Sequence, residues 1–159
     1  MTNTMIVTPV APGSPTRSPR TRQGAVVGVL LVIGMLLTAC GSTDAATNAS
    51  DIDRIRASVG VGQLTRVAEL DTKAQAQADR MARRARIFHS TSLTTRISPG
   101  WNSVGENVAS AGSIQQAQVA LEASPAHYAN LANSGYTEVG IGVANRNGVV
   151  YLVQIFVGR

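Results

Sequence analysis

Residues 137–157 read TEVGIGVANRNGVVYLVQIFV, and this stretch decides the fold class. In residues 137–144, Val139, Ile141 and Val143 alternate with Gly140 and Gly142. That is the two-residue period of a strand with one apolar face and one bare face. Asn145-Arg146-Asn147-Gly148 follows, and its Asn-Gly pair signals a tight hairpin turn. Residues 149–157 are apolar on both faces, which predicts a central strand covered on both sides.

Upstream of the hairpin the periodicity is helical. Leu70, Ala74, Ala78, Met81 and Ala85 recur at steps of three and four, predicting a helix over 71–86 with Asp71 as candidate N-cap. Its alanines imply close packing against a neighbour. Ser113 opens another helix, with Ile114, Ala117 and Leu121 on one face, and Pro125 suits the first turn of a short helix reaching about Leu131. Ser50 is a candidate N-cap for an earlier helix carrying Ile52, Ile55 and Val59, with Gly60 as its stop. Residues 41–49 (GSTDAATNA) are small and polar and read as linker. Residues 87–112 look irregular, punctuated by Ser98-Pro99-Gly100, Gly105 and Gly112. A loop that long carries function or hides a short strand. Helices first and a hairpin last predict an α+β fold, with helices packed over an antiparallel sheet.

The N-terminus reads as an export signal. Arg17, Arg20 and Arg22 precede an apolar run over 24–37 and then Leu37-Thr38-Ala39-Cys40. The apolar stretch is short for a membrane span of ~20 residues. Leu-Thr-Ala-Cys resembles a bacterial lipobox, which implies cleavage before Cys40 and a diacylglycerol on its sulfur. The bland alternative is an uncleaved anchor helix. Residues 1–39 are therefore expected to be a lipoprotein signal peptide, 40–49 a lipidated tether and 50–159 the folded domain. Two acyl chains give stable anchoring where one is marginal. Cys40 is the only cysteine, so no disulfide forms within the chain.

Without the three signal arginines, the remainder carries 11 Lys+Arg against 9 Asp+Glu, a net +2 rather than +5. Lys73, Arg80, Arg83, Arg84 and Arg86 cluster in one segment. They read first as a solvated helix face; contact with anionic lipid or wall polymer is the sharper alternative. An extracytoplasmic address argues against nucleic acid as a partner.

Two histidines are present, His89 and His127, in separate segments. Each taken alone reads as a capping or surface residue. Glu106, in Val104-Gly105-Glu106-Asn107-Val108, is either an exposed strand or loop residue or a buried site carboxylate. Two imidazoles and a carboxylate can hold a divalent metal with positions open for water, but the spacing 89–106–127 matches no local metal motif.

The order of segments carries a resemblance. Phe88-His89-Ser90 is followed by Gly100-Trp101, Val104-Gly105-Glu106-Asn107-Val108, Ser124-Pro125-Ala126-His127-Tyr128-Ala129-Asn130-Leu131 and Glu138-Val139-Gly140-Ile141-Gly142-Val143. Over residues 50–157 the chain resembles the CAP superfamily of cysteine-rich secretory, antigen 5 and pathogenesis-related proteins. The resemblance implies a three-layer α-β-α sandwich with a central antiparallel sheet and a cleft where His89, Glu106 and His127 converge. It further implies a divalent metal such as zinc on His89 and His127, and a structural role for Asn107. The family's second cleft glutamate is missing. Leu121 stands where bacterial relatives often carry the tryptophan before it, and Glu122 does not match its position.

The function expected is therefore a membrane-anchored, extracytoplasmic domain binding a lipid or cell-envelope ligand in or near a His/Glu cleft. The alternative is a metal-dependent hydrolase of envelope peptide or polysaccharide, with Glu106 as its catalytic carboxylate. Oligomeric state is open.

Overall fold

The computed structural model describes residues 39–159, with side chains from residue 43. The expected signal peptide and the Cys40 side chain lie outside what is described. Four helices and four strands follow in the order α1 (Ala39–Ser58), β1 (Thr65–Arg66), α2 (Ala68–Arg84), β2 (Ser103–Ala111), α3 (Ile114–Glu122), α4 (Pro125–Leu131), β3 (Glu138–Arg146) and β4 (Val149–Gly158).

The hairpin forms as its sequence predicts. Asn147 and Gly148 both take positive φ, 52° and 77°, the pattern of a type I′ turn whose twist suits the flanking strands. β4 lies between β3 and β2 in the sheet order β1-β3-β4-β2. Alternation along β4 then divides two cores. Val150, Leu152 and Phe156 pack with Val139, Ile141 and Val143 against α1, α3 and α4. Tyr151, Val153, Ile155 and Val157 pack with Leu70, Ala74, Ala78 and Met81 of α2 on the opposite face. The result is an α+β fold in three layers, with α2 the one helix on its side among the described residues. The sheet is mixed, because β1 pairs parallel to β3 through Thr65 and Arg66; the purely antiparallel expectation is corrected there.

The bare face of β3 is the seat of α2. A Cβ on Gly140 would fall 2.1 Å from the Leu70 carbonyl carbon, and one on Gly142 2.2 Å from that of Ala74. Asp71 does not cap α2; Val67 holds the N-cap position. The Asp71 carboxylate instead accepts from Ile141 N at 2.8 Å, and Gln75 Oε1 accepts from Val143 N at 3.0 Å. These side chains cover backbone donors that the two-residue β1 leaves unpaired on the β3 edge. The predicted helix end at 86 moves back to Arg84, since Ala85 turns left-handed (φ 47°) and closes the helix.

Two expectations are corrected. Residues 41–49 are helix rather than flexible linker, because α1 runs through them and buries Ala45 and Asn48. Ser50 is consequently inside the helix and bonds back to Ala46 O at 3.3 Å. The strand that the segment 87–112 hides is longer than a short one: residues 103–111 form nine residues of strand paired with β4 along their whole length.

The caps of α3 and α4 match expectation. Ser113 Oγ accepts from Gln116 N at 3.2 Å, and Pro125 occupies the first turn of α4. Replacing Ser113 by alanine should cost about 1 kcal/mol in urea unfolding. An unchanged midpoint would show that the cap is idle.

A buried arginine ties the helices on the α1 side together. Arg56 is 1% exposed and donates to Gly62 O (2.6 Å), Leu131 O (3.1 Å), Asn133 O (2.9 Å) and Tyr136 O (3.2 Å). Burial pulls its pKa down, opposed by the Asp53 carboxylate.

Candidate functional site

Glu106 stands on β2 opposite Ile155 and faces the α2 side of the sheet, buried. Oε1 accepts from Ser90 N at 2.8 Å and lies 2.9 Å from His89 Nδ1, while Oε2 accepts from Ser90 Oγ at 2.5 Å. Of the two sequence readings, the buried carboxylate is the one found. Three donors offset the desolvation that an ionised carboxylate would otherwise suffer. Donation from His89 Nδ1 to the Glu106 carboxylate would fix the tautomer of a neutral imidazole that keeps its lone pair on Nε2. Nε2 is buried and makes no hydrogen bond among the described residues.

The same device recurs at the other end of the loop. Ser98 N and Ser98 Oγ each donate to Glu69, both at 2.6 Å. Between the two serines, Lys73 Nζ donates to Ser92 O (3.0 Å) and Thr95 O (2.6 Å). Arg159 reaches Ser98 O (3.2 Å) and Pro99 O (2.9 Å) while pairing with Glu138. An apparently irregular segment is thus pinned through its backbone. Because the Glu69–Ser98 pair repeats the Glu106–Ser90 geometry, the latter reads as a loop clamp rather than as activation of a serine nucleophile.

The Ser98 hydrogen bonds hold the Glu69 carboxyl below its usual 4.5. A depressed carboxylate contributes stability above its unfolded pKa and loses it as pH falls through the folded value. The Ser98 amide NMR shift should therefore titrate with a midpoint below 4.5. An inflection at or above 4.5 would contradict the clamp.

His127 is buried in α4. Its carbonyl accepts from Asn107 Nδ2 at 3.2 Å, which agrees with a structural role for Asn107. Asn107 also belongs to a buried chain of amides that sequence reasoning missed. Asn107 Nδ2 donates to Gln154 Oε1 (3.1 Å), and Gln154 Nε2 to Asn48 Oδ1 and Gln118 Oε1 (both 2.8 Å). Asn48 Nδ2 reaches Gln118 Oε1 at 2.7 Å, and Asn130 Nδ2 reaches Asn107 Oδ1 at 2.9 Å. A lone glutamine within the apolar run VVYLVQIFV was the available signal.

The structure thus joins His89 to Glu106 and ties the His127 backbone to the neighbouring Asn107. Among the described residues, no group of three or more His, Cys, Asp or Glu side chains could hold an ion. Both Glu106 oxygens are engaged, and His89 Nε2 is the donor atom best suited to a metal, its Nδ1 being oriented by a carboxylate as metal-ligating histidines are.

Above His89 and Ser90 opens a cleft of about 570 Å³, walled by α2 and the pinned loop. Lys73, Arg80, Arg84, Arg86 and Arg96 line it together with Thr91, Ser92 and Thr95. Two of these cations approach the Phe88 ring, Arg84 with its guanidinium 5.1 Å and Arg86 with its guanidinium 5.6 Å from the ring centre. Burial lowers the Lys73 pKa, with the Glu106 carboxylate opposing.

Comparison with known proteins accords with this architecture. An outer surface protein of Borrelia burgdorferi superposes with a TM-score of 0.67 at 20% identity, over 74% of this chain and 93% of that one. An extracellular protein with an SCP domain from Bacillus anthracis gives 0.64 at 22% identity, over 75% of this chain but only 41% of the other. NaASP2, solved with Zn2+, gives 0.50 at 16% identity, over 75% and 82%. No curated protein matches the sequence. The family model described as "CAP: Cysteine-rich secretory protein family" matches residues 50–157, and the chain belongs to that family.

Proposed function

We propose that this chain is a membrane-anchored, extracytoplasmic lipoprotein whose CAP domain binds a lipid or other cell-envelope ligand in the cleft beside His89 and Glu106. The observation that carries the reading is the open cleft whose loop wall is clamped at both ends, a preformed site rather than a closed core. The address rests on the export signal and on Cys40 in its lipobox-like context. Among the described residues no helix is long and apolar enough to cross a membrane. The similar proteins named above include a surface protein and an extracellular one.

The test is retention of envelope material by the full chain isolated from membranes, with bound molecules released and identified by mass spectrometry. Thr91→Trp, on the exposed cleft wall, should abolish retention without unfolding the domain. Equal retention by wild type and variant would overturn the cleft as the binding site. Cys40→Ala should release the domain or leave an uncleaved precursor; a normally processed, membrane-held variant would count against lipidation.

The second reading is a metal-dependent hydrolase of envelope peptide or polysaccharide, favoured by the buried His89 Nε2, which makes no hydrogen bond among the described residues. His89 and His127 would hold the ion, which in such enzymes supplies a polarised water. Glu106, bonded through both oxygens to His89 and Ser90, is placed to orient His89 more than to take a proton from water. Zinc titration of wild type against His89→Ala and His127→Ala separates the readings. Equally weak binding by all three would remove the metal.

A further inference from the structure

We propose that the ligand of this cleft is a multiply charged phosphoryl anion, an assignment that rests on the envelope-binding reading and narrows it to one chemistry.

The charge distribution comes first. Five cations line the cleft and no carboxylate does. Of the residues from Cys40 onward, those outside the cleft comprise six Lys+Arg and nine Asp+Glu, a net charge of −3. The positive character of the domain is thus gathered in one concavity, on an otherwise acidic body. Like charges in one cavity repel and are costly to hold together without a counter-ion. The side chains are not all spent on the fold. Lys73 holds the loop carbonyls and Arg80 bonds Gln77. Among the described residues, Arg84 and Arg86 have only the Phe88 ring as side-chain partner, and Arg96 makes no hydrogen bond or ion pair. Three guanidinium forks are left facing one space.

The chemistry of that space then selects the anion. Guanidinium presents paired N–H donors whose geometry matches the oxygens of phosphate, and it is less strongly hydrated than ammonium. The hydroxyls of Thr91, Ser92 and Thr95 add neutral donors on the loop wall. A single carboxylate would offset one of the five cations, a phosphoryl group of charge −2 offsets two, and two linked phosphoryl groups offset more. The cleft volume of about 570 Å³ accommodates more than one such group. A lipid headgroup and a phosphate-bearing wall polymer both present this chemistry.

The probe is inorganic pyrophosphate, titrated into the purified full chain in detergent and followed by calorimetry. Saturable binding should appear and weaken as salt is raised. Arg84→Gln combined with Arg86→Gln, and Arg96→Gln separately, should each reduce affinity about three- to tenfold. Arg83→Gln, which like Arg96→Gln removes a single positive charge but from a residue of α2 outside the cleft, should leave it unchanged. Competition distinguishes the sources. Displacement of pyrophosphate by phosphatidylglycerol vesicles, but not by phosphatidylcholine vesicles, supports a lipid headgroup. Displacement by glycerol phosphate alone supports a wall-type or soluble phosphate. Absence of saturable pyrophosphate binding overturns the assignment, and so does an equal loss in Arg83→Gln. If pyrophosphate fails while Thr91→Trp still abolishes envelope retention, the cleft stands as a binding site and only its phosphoryl chemistry falls.

Discussion

Replacing Arg56 by alanine should destabilise the domain by about 3–5 kcal/mol, the largest effect expected of any single polar substitution here. The guanidinium gathers carbonyls from Gly62 and from Leu131, Asn133 and Tyr136, two stretches of chain far apart in sequence that both pack against α1. Its removal leaves these acceptors in a space where the side chain was 1% exposed, and leaves a void as large as an arginine. In a domain of this size the melting temperature should fall by roughly 10–20 °C. Arg56→Lys should recover only part of the loss, because one ammonium cannot reproduce the planar fork. A loss below about 1 kcal/mol for alanine would mean that water replaces the clamp and that the burial seen here is not energetically important.

The second large effect is the addition of one methyl group. Gly142→Ala places a carbon 2.2–2.4 Å from the Ala74 carbonyl group and Gln75 N, all backbone atoms that no rotamer change can move. The helix must lift off the sheet or β3 must bend, and we expect a cost of about 3 kcal/mol. Urea unfolding with Gly62→Ala as control makes the comparison, since nothing lies within 4 Å of a Cβ at Gly62. That control should stay within about 0.5 kcal/mol of wild type. A Gly142→Ala protein of unchanged stability would show that the α2–β3 contact is looser than the distances require.

These two sites also mark where the sequence was and was not legible. The glycine alternation in β3 and the alanine stripe of α2 are matching halves of one interface, and each was readable from its own period. The Asn-Gly turn, the Ser113 cap and Pro125 were readable because local backbone chemistry determines them. β2 was not, because Glu106, Asn107 and Ser110 are buried polar residues that break its alternation. The first turns of α1 looked like linker because Thr, Asn and Gly suit linkers, and only tertiary burial of Ala45 and Asn48 reveals them as core. Arg56 follows Ile52 by four residues on the buried face, yet a charge at that spacing ordinarily signals solvent. At the site, His89, Glu106 and His127 came from the family pattern and not from spacing. The Ser90 and Ser98 clamps depend on a loop path that no local rule encodes, and so does the inclusion of Arg96 among the cleft cations.

The paired clamps carry a consequence for variation. The segment from Ser90 to Pro99 is held by its own backbone atoms: the amides of Ser90 and Ser98, and the carbonyls of Ser92, Thr95, Ser98 and Pro99. Backbone contacts are indifferent to what hangs from the intervening positions. Thr91, Thr94 and Thr95, all exposed, can therefore be rewritten while the path of the loop is preserved. The molecule separates the means of shaping its binding surface from the means of staying folded. A randomised library over those three positions should yield mostly folded proteins with altered ligand preference, a mutable rim on an immobile frame.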